Sequence, residues 1–311
     1  MDFLVTGGAG FIGSHLIAGL LERGHQVRAV DDFSSGKRAN LAPFEGRIDL
    51  IEGDIADPDV CRRACDGVRV VLHEAAVPSV PKSVADPATS HRANIHGTFN
   101  MLQAAKTAGV KRFVAAASSS AYGESPTLPK IESMPTSPLS PYAVQKLAGE
   151  QYCRVFASCY GLETISLRYF NVFGARQDPK SQYAAAIPAF VTAILADRPP
   201  TVYGDGEQTR DFTYIENVIN ANLLAAEAPR TRGEVVNIAC GEHITINEII
   251  ARINKLTGKN VRPNYVAARP GDIKHSWADI QLAGEVIGYR PTVKFDEGLE
   301  RTVKWYSDGV A

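Results

Sequence analysis

The sequence predicts an α/β architecture: a Rossmann-type, doubly wound parallel sheet with a smaller α+β substrate-binding lobe. Three observations carry that reading. Short apolar, β-branched runs alternate with amphipathic stretches through the first half of the chain, the rhythm of βαβ units whose strands are buried on both faces. A glycine-rich turn, Thr6-Gly7-Gly8-Ala9-Gly10-Phe11-Ile12-Gly13, links the first apolar run to the first helical one. The 311 residues, 45% of them hydrophobic and 22% charged, suffice for a large core and about two lobes.

The elements follow in order. Phe3-Leu4-Val5-Thr6 reads as the first strand and residues 11–23 as the first helix. Further strands are expected at 26–31, 48–52, 68–73 and 112–117, with a helix at 98–108. Right-handed crossovers would stack these units into one sheet. Beyond about residue 170 glycine, proline and charge cluster at 174–180, 199–200, 204–210 and 269–272. Shorter helices at 246–256 and 296–305 stand among isolated strands there. The expected division is a dinucleotide-binding part at 1–170 and a mainly substrate-binding lobe at 171–311, some of whose segments return to the first. Without a repeat or a low-complexity linker, the two would pack tightly around a ligand cleft.

Composition excludes several classes. A formal net charge of −1 leaves no basic excess for nucleic acid or an anionic membrane. No apolar run approaches the roughly 18 residues that span a bilayer, and the run Phe3-Leu4-Val5 stops at Gly7 and Gly8, too early for a secretory signal. The five cysteines (Cys61, Cys65, Cys153, Cys159, Cys240) are odd in number, lack CxxC spacing and find no second ligand pair among the seven histidines. They read as reduced residues, with no metal site and a reducing, cytoplasmic compartment.

In the glycine turn, Gly7 permits the tight bend, Gly10 lets the backbone approach a pyrophosphate, and Gly13 lets the helix pack on the strand. The helix N-terminus then faces the phosphate charge. The spacing is GxxGxxG, and glycines also serve plain turns; the strand before and the helix after give the dinucleotide reading its weight. Asp31 ends the second strand, eighteen residues past Gly13. A carboxylate there can accept the adenosine ribose hydroxyls and repel a 2′-phosphate, which favours NAD over NADP. Lys37 and Arg38 nearby pull the other way, and a turn residue is the plainer alternative. Asp54 and Ile55, after the third strand, offer a carboxylate and an apolar adenine contact, or simply a helix N-cap.

Tyr142 and Lys146 form a YxxxK pair on one face of a long helical pattern. The ammonium is expected to favour the phenolate and pull the tyrosine from about 10 towards neutrality, making it a general base or acid. Ser118, Ser119 and Ser120 stand at the end of the fifth strand, where α/β sheets bind ligands. A polar loop is the alternative for those serines.

The segments TGGAGFIG, VDDFSSG, GDI, HEAA, NIHGT, SSSAYG, SPYAVQK, RYFNVFG, RDFTYI and RPGDI occur in this order, from about residue 1 to 305. As a set they resemble the extended short-chain dehydrogenase/reductase family and, within it, the NAD-dependent nucleotide-sugar 4-epimerases. The resemblance implies that Tyr142 takes the proton from the sugar 4-hydroxyl. Ser118, four residues before the YG tyrosine Tyr122, would hydrogen-bond the same oxygen, with Ser119 as helper. Hydride would pass from C4 to tightly held NAD and return on the other face of a 4-keto sugar, while Lys146 orients the nicotinamide ribose. Further cofactor contacts are implied for Phe11, Ile12, Asp32, Phe33, Ser35, Gly36, Ala75, Ala76, Val77 and Asn94. Related 4,6-dehydratases carry Asp-Glu where this chain has Ser119-Ser120, and UDP-glucuronate decarboxylases carry Ser-Glu. Without that carboxylate, simple epimerisation is the favoured expectation.

For the substrate, the resemblance implies that Asn171, Arg210, Arg269 and Asp272 bind the nucleoside diphosphate. Gln177, Ala186, Ile187, Val202 and Tyr203 would surround it, with Ser79, Ser118, Ser119, Ser120 and Tyr142 towards the sugar. A bidentate arginine suits a phosphate; for any one arginine, a surface salt bridge is the alternative. Residues 176–188 are similar to members acting on UDP-N-acetylhexosamines. Ser276 aligns with a gate position that a tyrosine narrows in strict glucose/galactose enzymes. The expected substrate is a UDP-hexose, UDP-GlcNAc/UDP-GalNAc and/or UDP-Glc/UDP-Gal. A UDP-glucuronate 4-epimerase, or a decarboxylase, dehydratase or 4-reductase, is the alternative. The family also implies a homodimer formed through helices at 87–109 and 141–161, and polysaccharide biosynthesis is one setting for such a product.

Overall fold

In the computed structural model, which describes residues 1–179, 186–268 and 274–309, the buried strand β1 (Phe3–Thr6) turns through Gly7 into α1 (Phe11–Glu22). Next come β2 (Val27–Asp31), α2 (Arg38–Leu41), β3 (Asp49–Glu52), α3 (Pro58–Cys65) and β4 (Val70–His73). α4 (Val80–Ala85) and α5 (Pro87–His91) lead through a π-helical turn, Arg92–Gly97, into α6 (Thr98–Thr107). β5 (Arg112–Ser118) runs one residue past its expected end and carries Ser118 as its last residue, before a 3-10 turn at Ser119–Tyr122.

α7 (Pro141–Tyr160) shows why the catalytic pair is helical. The Ser140 side chain accepts the Ala143 N–H, Pro141 occupies the first turn, and Gly161 ends the helix at a left-handed φ of 72°. The second half of the chain adds β6 (Glu163–Tyr169), β7 (Val172–Phe173), α8 (Ala186–Leu195), β8 (Thr201–Tyr203), β9 (Thr209–Arg210) and β10 (Thr213–Tyr214). It continues with α9 (Ile215–Glu227), β11 (Glu234–Ile238), β12 (Ile244–Thr245), α10 (Ile246–Thr257), β13 (Asn264–Val266), β14 (His275–Ser276), α11 (Gln281–Ile287) and α12 (Phe295–Ser307).

Seven parallel strands form the main sheet in the order β3-β2-β1-β4-β5-β6-β11. The direction of winding changes between β1 and β4, so the connections leaving their carboxyl ends part there and open a crevice. One sheet face packs Leu4, Val30, Val71 and Phe113 with residues of α3, α6 and α7. The other packs Phe3, Val5, Leu72 and Val114 with residues of α1 and α9, and this cluster continues unbroken through α8, α10 and α12. β11 and α9 come from the second half of the chain, yet they belong to the layers of the main sheet. The run Val235, Val236, Ile238 is buried, as a strand covered on both faces requires. All five cysteines are unpaired. Among the described residues no helix is long and apolar enough to cross a membrane.

Candidate active site

The glycine turn expected to cradle a dinucleotide lies at the crevice between β1 and β4. Gly7 takes a φ of 65°, and a Cβ at Gly13 would lie 2.2 Å from the Gly7 carbonyl oxygen. Helix and turn can therefore meet only with glycine at Gly13. α1 begins at Gly10 with no side-chain cap and no acidic residue in its first turn, so its N-terminal N–H groups remain open to an anion. Ala75 closes the other wall: its N–H donates to Thr6 Oγ1 at 3.0 Å, and its backbone would lie 2.9 Å from a Cβ at Gly7.

Asp31 sits at the rim of this cradle, buried, with its two carboxylate oxygens accepting the N–H groups of Ala9 and Phe33 at 2.8 Å. Burial raises its pKa, and those two hydrogen bonds oppose the rise. Each oxygen keeps a second lone pair for a ribose hydroxyl. A Cβ at Gly36 would lie 2.7 Å from Asp31 Oδ1, so the loop can close over the carboxylate only with glycine there. The two cations that could take a 2′-phosphate are engaged elsewhere. Lys37 pairs with Asp178 at 3.4 Å, and Arg38 pairs with Glu52 at 2.6 Å while stacking 3.9 Å over the Phe33 ring.

Several expected cofactor residues also bond within the protein. Asp32 is exposed and accepts the Ser34 N–H and hydroxyl, and Ser35 lies exposed beside it. Asp54 accepts the Ala56 N–H and pairs with Arg92. Ile55 is buried, and its side chain packs where a Cβ on Gly97 would fall. Asn94 is buried; its carboxamide clasps the Val77 backbone at 2.7 and 3.3 Å and donates to Gln145 at 2.8 Å. Asp32, Asp54 and Asn94 are thereby held in place by protein partners.

At the carboxyl edge of the sheet, Ser118 on β5 stands in register with Tyr169 on β6. Ser118 Oγ accepts both the N–H and the hydroxyl of Ser120, at 3.2 and 2.8 Å. Ser118 lowers the Tyr142 pKa, favouring the phenolate. Ser119 occupies the turn that follows. The Tyr142 N–H is fixed on the Ser83 hydroxyl at 3.0 Å.

The electrostatics differ from the expected tyrosine–lysine couple. Tyr142 is pushed up to about 12, chiefly by burial, with Ser118 opposing and Glu74 adding to the rise. Lys146 donates to the Ala116 carbonyl at 2.9 Å; burial lowers its pKa, while Glu74 and Glu150 raise it. Helical spacing places both side chains on one face as expected, but desolvation outweighs any pull toward neutrality in the protein alone. Behind Lys146, Glu150 makes a two-pronged buried pair with Arg168 at 2.8 and 2.7 Å, which locks α7 to β6.

Beyond this edge, six of the expected substrate residues line one cavity of about 220 Å³: Asn171, Ala186, Ile187, Val202, Tyr203 and Arg210. Phe173, Phe190, Gln208 and Phe212 complete an apolar chamber with few polar groups, the usual make-up of a small-molecule site. Asn171 is held by its amide on the Asp211 carbonyl at 2.8 Å. Arg210 is steadied by the Thr209 and Lys274 carbonyls. Ser276 pairs with Arg210 in register across β14 and β9. Gln177 does not line the chamber, because its amide turns to the Val172 carbonyl at 3.0 Å. Ser79 caps α4 by accepting the Lys82 N–H at 3.2 Å. Arg269 and Asp272 lie outside the described residues. No group of three or more metal-ligating side chains occurs among the described residues.

Two features escaped the sequence reading. Ser83 holds the start of α7, and Glu74 introduces a carboxyl beside the catalytic pair. Glu74 lies inside the HEAA segment, but only its packing against Tyr169 reveals a role.

Comparison with known proteins gives a consistent result. A family profile described as "NAD dependent epimerase/dehydratase family" matches residues 3–239. A putative UDP-glucose 4-epimerase of Methanocaldococcus jannaschii is 38% identical over 97% of each chain. Among solved structures, a UDP-N-acetylglucosamine 4-epimerase of Methanobrevibacter ruminantium, in complex with UDP-N-acetylmuramic acid, is 42% identical. It covers 99% of this chain and 98% of its own, with a TM-score of 0.94. A UDP-glucuronic acid 4-epimerase of Bacillus cereus, with UDP-glucuronic acid and NAD, is 36% identical over all of both chains, with a TM-score of 0.92.

Proposed function

The chain belongs to the NAD-dependent epimerase/dehydratase family, and on that premise we propose that it inverts C4 of a UDP-hexose, with UDP-GlcNAc and UDP-GalNAc as its substrate pair. The observation that carries this reading is the Ser118–Ser120 turn at the end of β5, which holds no carboxylate and whose Ser118 favours the Tyr142 phenolate. Such a turn can exchange the 4-hydroxyl proton but lacks an acid for eliminating the 6-hydroxyl.

The cradle of Gly7, Gly10 and Gly13, the open N-terminus of α1 and Asp31 would hold NAD. Bound NAD supplies the hydride acceptor and donor for C4 and a positive ring charge in its oxidised form. Tyr142 takes the 4-hydroxyl proton onto its phenolate oxygen, and the Ser118 hydroxyl steadies the sugar oxygen as it becomes a carbonyl. The positive ring charge that NAD would bring would offset the burial that holds Tyr142 in its phenol form. Arg210 and Asn171 grip the diphosphate end, so the hexose can turn without leaving.

The small side chain of Ser276, next to Arg210 in register, supports a pocket with room for a 2-acetamido group. The identity to the N-acetylglucosamine enzyme points the same way. A homodimer is supported by exposed apolar residues on α6 and α7: Phe99, Val144, Tyr152, Val155 and Tyr160. Comparing kcat/KM for UDP-GlcNAc, UDP-Glc and UDP-glucuronate tests the assignment. The reading expects UDP-GlcNAc to lead; preference for the uronate would replace it.

A further inference from the structure

Glu74 follows β4 directly, at the carboxyl edge that bears the catalytic groups. Its Oε1 accepts the Tyr169 hydroxyl at 2.7 Å, and that hydroxyl accepts the Asn222 amide at 2.8 Å. Asn222 is buried on α9 and is itself fixed on the Val218 carbonyl. The chain Asn222–Tyr169–Glu74 thus reaches from the helix behind the sheet to the ends of β6 and β4. Between those strands lies β5, which ends in Ser118.

Register brings Lys146 close. His73 pairs with Ala115, so Glu74 stands level with Ala116, whose carbonyl holds the Lys146 ammonium. The titratable groups facing Glu74 are Lys146 and Tyr142 from α7 and Tyr169 from β6. His73, the preceding residue, is buried and held down to about 3, so it stays neutral.

We propose that Glu74 is a positioning residue for the Tyr142–Lys146 pair: a desolvated carboxyl, held by Tyr169, whose gain or loss of a proton sets how readily that pair exchanges one. As a carboxylate it stabilises the Lys146 ammonium and opposes the Tyr142 phenolate; as an acid it does neither. Burial pushes Glu74 up to about 7, against the lowering by Tyr169 and Lys146. The switch therefore falls where enzymes commonly work.

The role in catalysis rests on the epimerase reading; the titration itself does not. In protein labelled with side-chain 13C glutamate, the resonance lost in Glu74→Gln identifies Glu74. It should titrate near neutral pH in the wild type and at higher pH in Tyr169→Phe, which lacks the donor to the carboxylate. The pH profile of kcat should show the same inflection in the wild type and lose it in Glu74→Gln, while KM changes less than about twofold. Titration in the ordinary carboxylate range would overturn the proposal. So would an unchanged kcat profile in Glu74→Gln. A wild type that inverts no UDP-hexose would sink the epimerase reading while leaving the labelled titration intact.

Discussion

The cofactor cradle and the substrate cavity perform similar tasks with opposite means. The cradle is one loop between two adjacent elements, and its working parts are backbone N–H groups and missing side chains. The cavity gathers side chains from in and around β7, α8, β8, β9 and α10, five separate stretches of the chain, around an apolar chamber. The first should fail when atoms are added and the second when atoms are removed or the opening is narrowed. The catalytic edge between them should fail without disturbing either.

The largest effect falls on that edge. Tyr142→Phe should lower kcat by about 10³-fold, while calorimetry shows unchanged UDP binding and NAD stays with the protein. Loss of UDP binding would mean that the edge and the cavity are not separable. Gly13→Ala comes next. Its methyl would meet the Gly7 carbonyl at 2.2 Å, so NAD affinity should fall about 100-fold. The cavity should still bind UDP, as cofactor content and UDP titration would record.

The remaining two predictions concern the cavity side. Ser276→Tyr should lower kcat/KM for UDP-GlcNAc about 30-fold, the equivalent of overfilling a packed site by about 2 kcal/mol. Turnover of UDP-Glc should change far less; equal losses would remove the gate argument. Arg210→Ala should weaken UDP about tenfold through the loss of a charged hydrogen bond, with NAD content unaltered. A fall in NAD content would show that the two regions are coupled.

The same contrast explains what the sequence made legible. Gly7, Gly10, Gly13 and Asp31 belong to one βαβ unit, where spacing along the chain is nearly spacing in the fold. Five of the seven sheet strands, with Ser118 at the end of the fifth and Tyr142 on the helix after it, were legible from such units; β6 and β11 were not. The cavity has no period, and its residues emerged only through resemblance; six converge, Gln177 turns away, and Arg269 and Asp272 lie outside the described residues. Asp54 and Asn94 have the chemistry of ligands, and their protein partners Arg92, Val77 and Gln145 come from other elements, which no local pattern announces. Tyr142 is the clearest case. Helical spacing fixed its neighbour Lys146, but burial and the Glu74 carboxyl just past β4 decide its proton.

The central claim is that hydrogen leaves C4 and returns to the same carbon within one closed site. Incubating UDP-hexose deuterated at C4 with the purified protein tests it directly, with the product read by NMR. The account predicts the 4-epimer with deuterium retained at C4 and no net reduction of the cofactor. Inversion with loss of the label to solvent, or no inversion of any UDP-hexose, would contradict it.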